Sequence, residues 1–296
     1  MLSEVLDLLV GSIPPMIPLV LAGVGEIIAE RSGVVNIGIE GIMLLSALTS
    51  GVTAYFTGDL ILALSVGVIT GALLGLLHAV LGVVLRGDQI VIGVGVNLFA
   101  YGMSVVTLVY IWGTYGNSPQ LPTLPKIYLC CYPISILLPV SIAVSVVSWY
   151  VLFKTKWGLM IRACGEDPKA AEAMGVNVIR VRSLATIVGG MLAGLAGAHL
   201  SLDWVGQFTK EITAGRGFIA LANVVFSKWN PLNALLGGFI FGFFESLSIY
   251  LSIISLNPSM AYLFKVVPYL ATLAVVTAFM RKARIPPALG KPYIKE

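Results

Sequence analysis

The chain has 296 residues, of which 58% are hydrophobic and only 11% charged, with a formal net charge of +4 at pH 7. Soluble domains carry roughly 25% charged residues, so this composition excludes a water-soluble globule and points to a polytopic membrane protein, for which lipid is the solvent. The 32 glycines suit helices packed closely in a bilayer.

The chain opens MLSEVLDLLVGSIPPMIP, whose leader carries Glu4 and Asp7 where a secretory signal would be basic. The first apolar segment is therefore expected to be retained. A spanning helix needs about 20 mostly apolar residues, which predicts spans near 8–28, 35–56, 60–84, 90–112, 134–153, 184–204, 231–254 and 262–280. The piece FIALANVVF (218–226) is too short to cross, and reads as a half-helix or re-entrant segment buried in protein. Gly215 and Gly217, around Arg216, allow the turn that such a segment needs. Residues 116–133 form a Pro-rich connection. The expected fold is an all-α membrane bundle of about eight to nine segments including the half-span, with residues 1–296 as one transmembrane domain. Cys130, Cys131 and Cys164 make no CxxC spacing, so neither a disulfide framework nor a zinc site is expected.

One stretch stands apart from its apolar neighbours. CGEDPKAAEAMGVNVIRVR (164–182) carries Glu166, Asp167, Lys169, Glu172, Arg180 and Arg182. Asp167-Pro168 is a helix-start signal, and KAAEAM reads as a short helix closed by Gly175. Placing loop 154–183 in the cytoplasm puts Lys154, Lys156, Arg162, Lys169, Arg180 and Arg182 inside. Alternation then adds Arg31, Arg86, Lys228 and the tail residues Arg281, Lys282, Arg284, Lys291 and Lys295. Only Lys126, Lys210, Arg216 and Lys265 stay outside. The N-terminus is then outside and the tail 281–296 cytoplasmic. Arg162, Arg180 and Arg182 are expected near the lipid headgroups. A short helix with small residues on one side can dock in a groove of a soluble partner; the competing reading is a solvated connector.

Ala170, Ala171 and Gly175 make an AA-x3-G pattern that resembles the coupling motif of ABC importer permeases, although Lys169 stands where that motif has Glu and its later Ile-x-Leu-Pro is absent. GEIIAERSGVVNIGIEGIMLLSA (25–47) resembles the second-span signature of the nucleoside and simple-sugar permeases, relatives of the branched-chain amino-acid and ribose permeases. GEDPKAAEAMGVNV, GRGFIALANVVFSKWNP and KARIPPALGKPY follow in the order of that group, and the ERSGVVNIGIEG and ALGKPY forms resemble its nucleoside branch. The resemblance implies a non-enzymatic plasma-membrane permease subunit. Its partners would be an ATP-binding subunit, a second homologous permease and an extracytoplasmic substrate-binding lipoprotein, with membrane lipid around it and no nucleic acid. The cargo would be a small polar solute, a nucleoside or alternatively a simple sugar. Gly165, Glu166, Asp167, Ala170, Ala171, Met174 and Gly175 would couple to the ATPase, with Ala170, Ala171 and Met174 facing it. No G-x-x-x-x-G-K-[ST] occurs, so ATP and Mg are expected on the partner and no cofactor on this chain.

Four polar residues are candidates for the translocation path. Asn36 and Glu40 are four apart and are expected on one face of one helix. A carboxylate deep in a span must face protein or water, so the pair either lines the path or clasps neighbouring helices. Glu245 sits among aromatics in GGFIFGFFESLSIY, and Asn97 in GVGVNLF can donate between helices. His78 and His199 read as packing residues. An ion-coupled secondary transporter lacks its ion cluster and repeated halves. An intramembrane serine protease lacks a credible His–Ser pair.

Overall fold

The computed structural model describes residues 2–129, 132–255, 260, 263–280 and 284–294. Cys130, Cys131, Arg281, Lys282 and Lys295 lie outside the described residues. Helices α1 (Leu2–Gly11) and α2 (Ile13–Arg31) form the first long segment, with prolines in the opening turn of α2, where no intrahelical partner is lost. Next come α3 (Ile39–Thr57), α4 (Leu60–Ala79) with a π-helical turn over Val80–Val84, and α5 (Gln89–Trp112). Asp59 and Asp88 cap α4 and α5 by accepting from first-turn N–H groups. Gly58 and Gly113 close α3 and α5 in the left-handed conformation.

Strands β1 (Lys126–Leu129) and β2 (Tyr132–Ser135) then pair antiparallel, with Lys126 opposite Ser135. They are followed by α6 (Leu137–Lys154), α7 (Lys156–Glu166), α8 (Pro168–Ala173), α9 (Val178–His199) with a second π-helical turn over Leu200–Trp204, α10 (Arg216–Ser227), α11 (Pro231–Ile254) and α12 (Val267–Met280). Among the described residues, seven helices are long and apolar enough to cross a membrane; α10 and α12 are shorter, at 12 and 14 residues.

Helix α9 sits at the centre, packed on α2, α3 and α4. Its contact with α4 is a glycine seam in which Gly67, Gly71 and Gly75 meet Gly190 and Gly194. A β-carbon at Gly71 would collide with the Gly190 carbonyl oxygen, so these helices touch backbone to backbone. On the α2 side Gly25 faces Gly189, where a β-carbon would lie 2.7 Å from the Gly189 carbonyl oxygen.

Three expectations are corrected. The connection after α5 ends in a hairpin, so the chain is not wholly helical. Loop 154–183 holds two helices, because Thr155 turns extended and caps α7 through Gly158 N–H at 3.2 Å. The second predicted span begins at Ile39, because residues 32–38 leave the helix, with Gly33 at φ +98.

Candidate functional site

The break between α2 and α3 removes Asn36 from the helix that carries Glu40, so the two share no helix face. Glu40 lies in the first turn of α3 and is fully buried. Its carboxylate accepts from the N–H groups of Gly215 at 2.7 Å and Gly217 at 2.6 Å. It thereby caps the N-terminus of the short helix α10, where the helix dipole is positive. Gly215 takes φ +77 there, and a β-carbon on Gly217 would lie 2.6 Å from Glu40 Cα. Arg216, between the two glycines, donates from Nε to Glu245 Oε1 at 2.9 Å, and from Nη2 to the same oxygen. It also stacks on Trp204, 4.4 Å from the ring centroid. One loop thus joins Glu40 and Glu245, the two predicted carboxylates.

Asn36 and Asn97 belong to the break itself. Asn97 Oδ1 accepts from Gly41 N–H at 2.7 Å, and its Nδ2 donates to the Ile37 carbonyl at 3.1 Å. Asn36 N–H donates to Glu26 Oε1 at 2.8 Å. These contacts replace the helical bonds that residues 32–38 give up. Glu26 and Glu30, one turn apart on α2, escaped the sequence reading although both lie in the quoted 25–47 motif. Glu30 accepts from Trp229 Nε1 at 2.5 Å, and Arg31 Nε donates to the Trp229 carbonyl at 3.1 Å. That grip holds Lys228 and Trp229, both at positive φ, between α10 and α11.

At the end of the bundle that carries α8, Arg182 is 1% exposed, not at a headgroup surface. Its guanidinium donates to three carbonyls: Ser32 at 3.0 Å, Lys291 at 2.9 Å and Cys164 at 3.1 Å. These belong to the α2–α3 break, the tail and α7. Ala288 N–H to Gly165 O at 3.0 Å and Gly290 N–H to Gly33 O at 3.1 Å complete the joint. The ERSG, CGEDP and ALGKP stretches, far apart in the sequence, therefore meet around one arginine. Burial pushes the Cys164 thiol up to about 11.

Helix α8 sits on this joint. Asp167 caps it by accepting from Lys169 N–H at 3.0 Å and Ala170 N–H at 3.1 Å, and Gly175 follows at φ +85. Ala171 does not face outward with Ala170 and Met174. It is 4% exposed and packs with Cys164, Val178, Val181 and Tyr293 of its own chain. Gly165 is buried too, since a β-carbon there would collide with the Arg31 carbonyl oxygen. The outward face carries Glu166, Asp167, Ala170, Met174 (85% exposed) and Gly175. Tyr293 donates to Glu172, fastening the tail to α8.

Near the other end of α9, Ser135 donates to the Asp203 carboxylate, and His199 Nδ1 lies 3.0 Å from Asp203 Oδ2. His199 Nε2 is taken by the Pro14 carbonyl at 3.0 Å. The serine meets the aspartate and not the histidine, so this trio ties β2, α9 and α2 together and does not form a nucleophile–base pair.

Residues 9–276 match a family described as branched-chain amino acid transport system / permease component. The chain is 38% identical over 300 residues to the guanosine ABC transporter permease protein NupQ of Bacillus subtilis, covering 94% of this chain and 93% of that one. It is 37% identical over 297 residues to the nucleoside ABC transporter permease protein NupC of Lactococcus lactis, again covering 94% and 93%.

Proposed function

The chain belongs to the branched-chain amino acid transport permease-component family and is a multi-pass permease subunit of an ABC importer, not itself an enzyme; from that premise we propose that its cargo is a nucleoside. The supporting observation is the near full-length likeness to two permeases named for guanosine and nucleoside transport. The remaining parts of the importer are a second homologous permease, an ATP-binding subunit that holds ATP and Mg, and an extracytoplasmic binding lipoprotein that selects the cargo. In proteoliposomes containing all of these, ATP is expected to drive uptake of labelled guanosine that unlabelled glucose does not reduce. Uptake of glucose but not guanosine would overturn the nucleoside reading.

Within this reading α10 and α12 enter the membrane beside the seven long helices, giving nine segments of a single transmembrane domain, at the upper end of the expected eight to nine. The N-terminus lies outside, and loop 154–183 and tail 281–296 lie in the cytoplasm, as the distribution of Lys and Arg favours. A Lys169→Cys variant is expected to resist an impermeant thiol reagent in intact cells, while Lys126→Cys reacts. Cys130 and Cys131 are replaced by Ser for this test, and Cys164 stays because its buried, high-pKa thiol is a poor nucleophile. Equal labelling at both positions would reverse the orientation.

The path borders the loop where Glu40 and Glu245 hold the start of α10, with Asn36 and Asn97 bracing the α2–α3 break behind it. Broken helices of this kind border transport paths in membrane carriers. Glu40→Gln keeps one acceptor for the α10 cap and is expected to lower uptake several-fold while leaving most of the complex assembled. Asn36→Ala, which retains the N–H bond to Glu26, is expected to act in the same direction. If both changes remove assembled complex in proportion to uptake, these residues are a clasp and not part of the path.

A further inference from the structure

An apolar groove of about 290 Å³ lies between α2, α6, α7 and α9. Its floor includes Ile28 and Ala185, and its walls are Val147, Val151, Trp157, Leu184 and Val188. The wall residues are all exposed, so the groove opens sideways out of the bundle. None of its lining residues is charged.

The end of the groove is different in character. Lys154 and Lys156 are exposed and flank Thr155, where α6 breaks into α7. Leu152 and Trp157, which line the groove, are their near neighbours in the chain. Lys154 Nζ lies 5.8 Å from the ring centroid of Trp149, one residue along α6 from the lining residue Ser148. Arg180, also exposed, stands one residue before the lining residue Val181 on α9. The N-terminus of α7, an 11-residue helix, begins at Lys156 and adds the positive end of its dipole. An apolar slot open to the side of the bundle thus has three cations within two residues of its lining side chains, Lys154 and Lys156 at the α6–α7 break and Arg180 on α9.

Another helix is a poor occupant. The backbone-to-backbone helix contacts of this bundle run through glycines, as between α4 and α9, whereas these walls are Val, Leu and Trp. We propose that the groove binds one anionic phospholipid, with an acyl chain against Val151, Leu184 and Val188 and the phosphate among Lys154, Lys156 and Arg180. Basic clusters at the ends of membrane helices recognise anionic headgroups in this way, and Trp157, next to Lys156, supplies an indole of the kind that favours the interface.

The test is native mass spectrometry of the full-length chain in mild detergent, with phosphatidylglycerol or phosphatidylcholine supplied. Phosphatidylglycerol is expected to be retained about tenfold better than phosphatidylcholine, and Lys154→Ala with Lys156→Ala to abolish that preference. Val188→Trp, at an exposed wall position, is expected to lower retention of both lipids by filling the slot. Equal retention of the two lipids, or a preference untouched by the lysine changes, would overturn the proposal. So would a Val188→Trp chain that keeps its lipid, since the slot would then not be where the lipid sits.

Discussion

Arg182→Ala is expected to be the most damaging single change at the α8 end of the molecule. The guanidinium is 1% exposed and serves three carbonyls from three separate segments. Hydrogen bonds to a charged group contribute about 1.5–3 kcal/mol each, and their loss leaves buried acceptors unserved. Even if the three overlap heavily, a loss above about 4 kcal/mol follows, large against a total stability of about 5–15 kcal/mol. Arg182→Lys is expected to recover little, because one ammonium cannot span the three directions that a planar guanidinium serves. The predicted result is release of residues 284–294, seen as rapid proteolysis of the tail, with a lower melting temperature in detergent. A variant whose tail stays protected and whose melting temperature is unchanged would show that the three carbonyls find other donors.

The same arginine marks where the sequence was readable and where it was not. Asp167-Pro168, Gly175 and Gly215 are local signals, because a cap or a left-handed residue acts on the backbone next to it, and the structure puts each at the helix end expected of it. That residues around 218–226 form only a short helix was legible from the length of the apolar run. The α2–α3 break was not: Val34, Val35 and Ile37 keep the stretch apolar, so hydropathy runs on while the backbone leaves the helix. What holds the break open is remote, namely Asn97 from α5 and Glu26 from α2. An unbroken helix would carry Asn36 and Glu40 on one face, whereas Glu40 serves α10 across 175 residues. Helix α7 was hidden because KWGLMIRACGE reads as part of a polar loop until Thr155 is seen to cap it. Arg182 reads as a headgroup arginine because, like Arg180, it stands where the polar loop meets the next apolar run; only the fold shows which of the two turns inward.

Charge on the outward face of α8 is expected to uncouple the permease from its ATPase without unfolding it. Spacing alone puts Ala170 and Met174 on one side of the helix and Ala171 about a quarter-turn away. The tail decides the rest: Tyr293 and the Cys164–Val178–Val181 cluster take Ala171 inward, leaving Met174 85% exposed. An exposed methionine beside a small alanine suits a groove on a partner, as methionine adapts to irregular apolar surfaces. Ala170→Glu and Met174→Glu are therefore expected to leave the amount of purified permease unchanged. At a packed contact each would desolvate a carboxylate, at a cost of a few kcal/mol, enough to lose most of the co-purifying ATPase. Ala171→Glu is expected to behave differently, since its carboxylate would enter the chain's own cluster and reduce the amount of permease itself. Pull-down of the ATPase with each variant, normalised to permease, separates the two faces. Full ATPase recovery and full uptake with both Ala170→Glu and Met174→Glu would show that α8 is a connector and that the ATPase docks elsewhere.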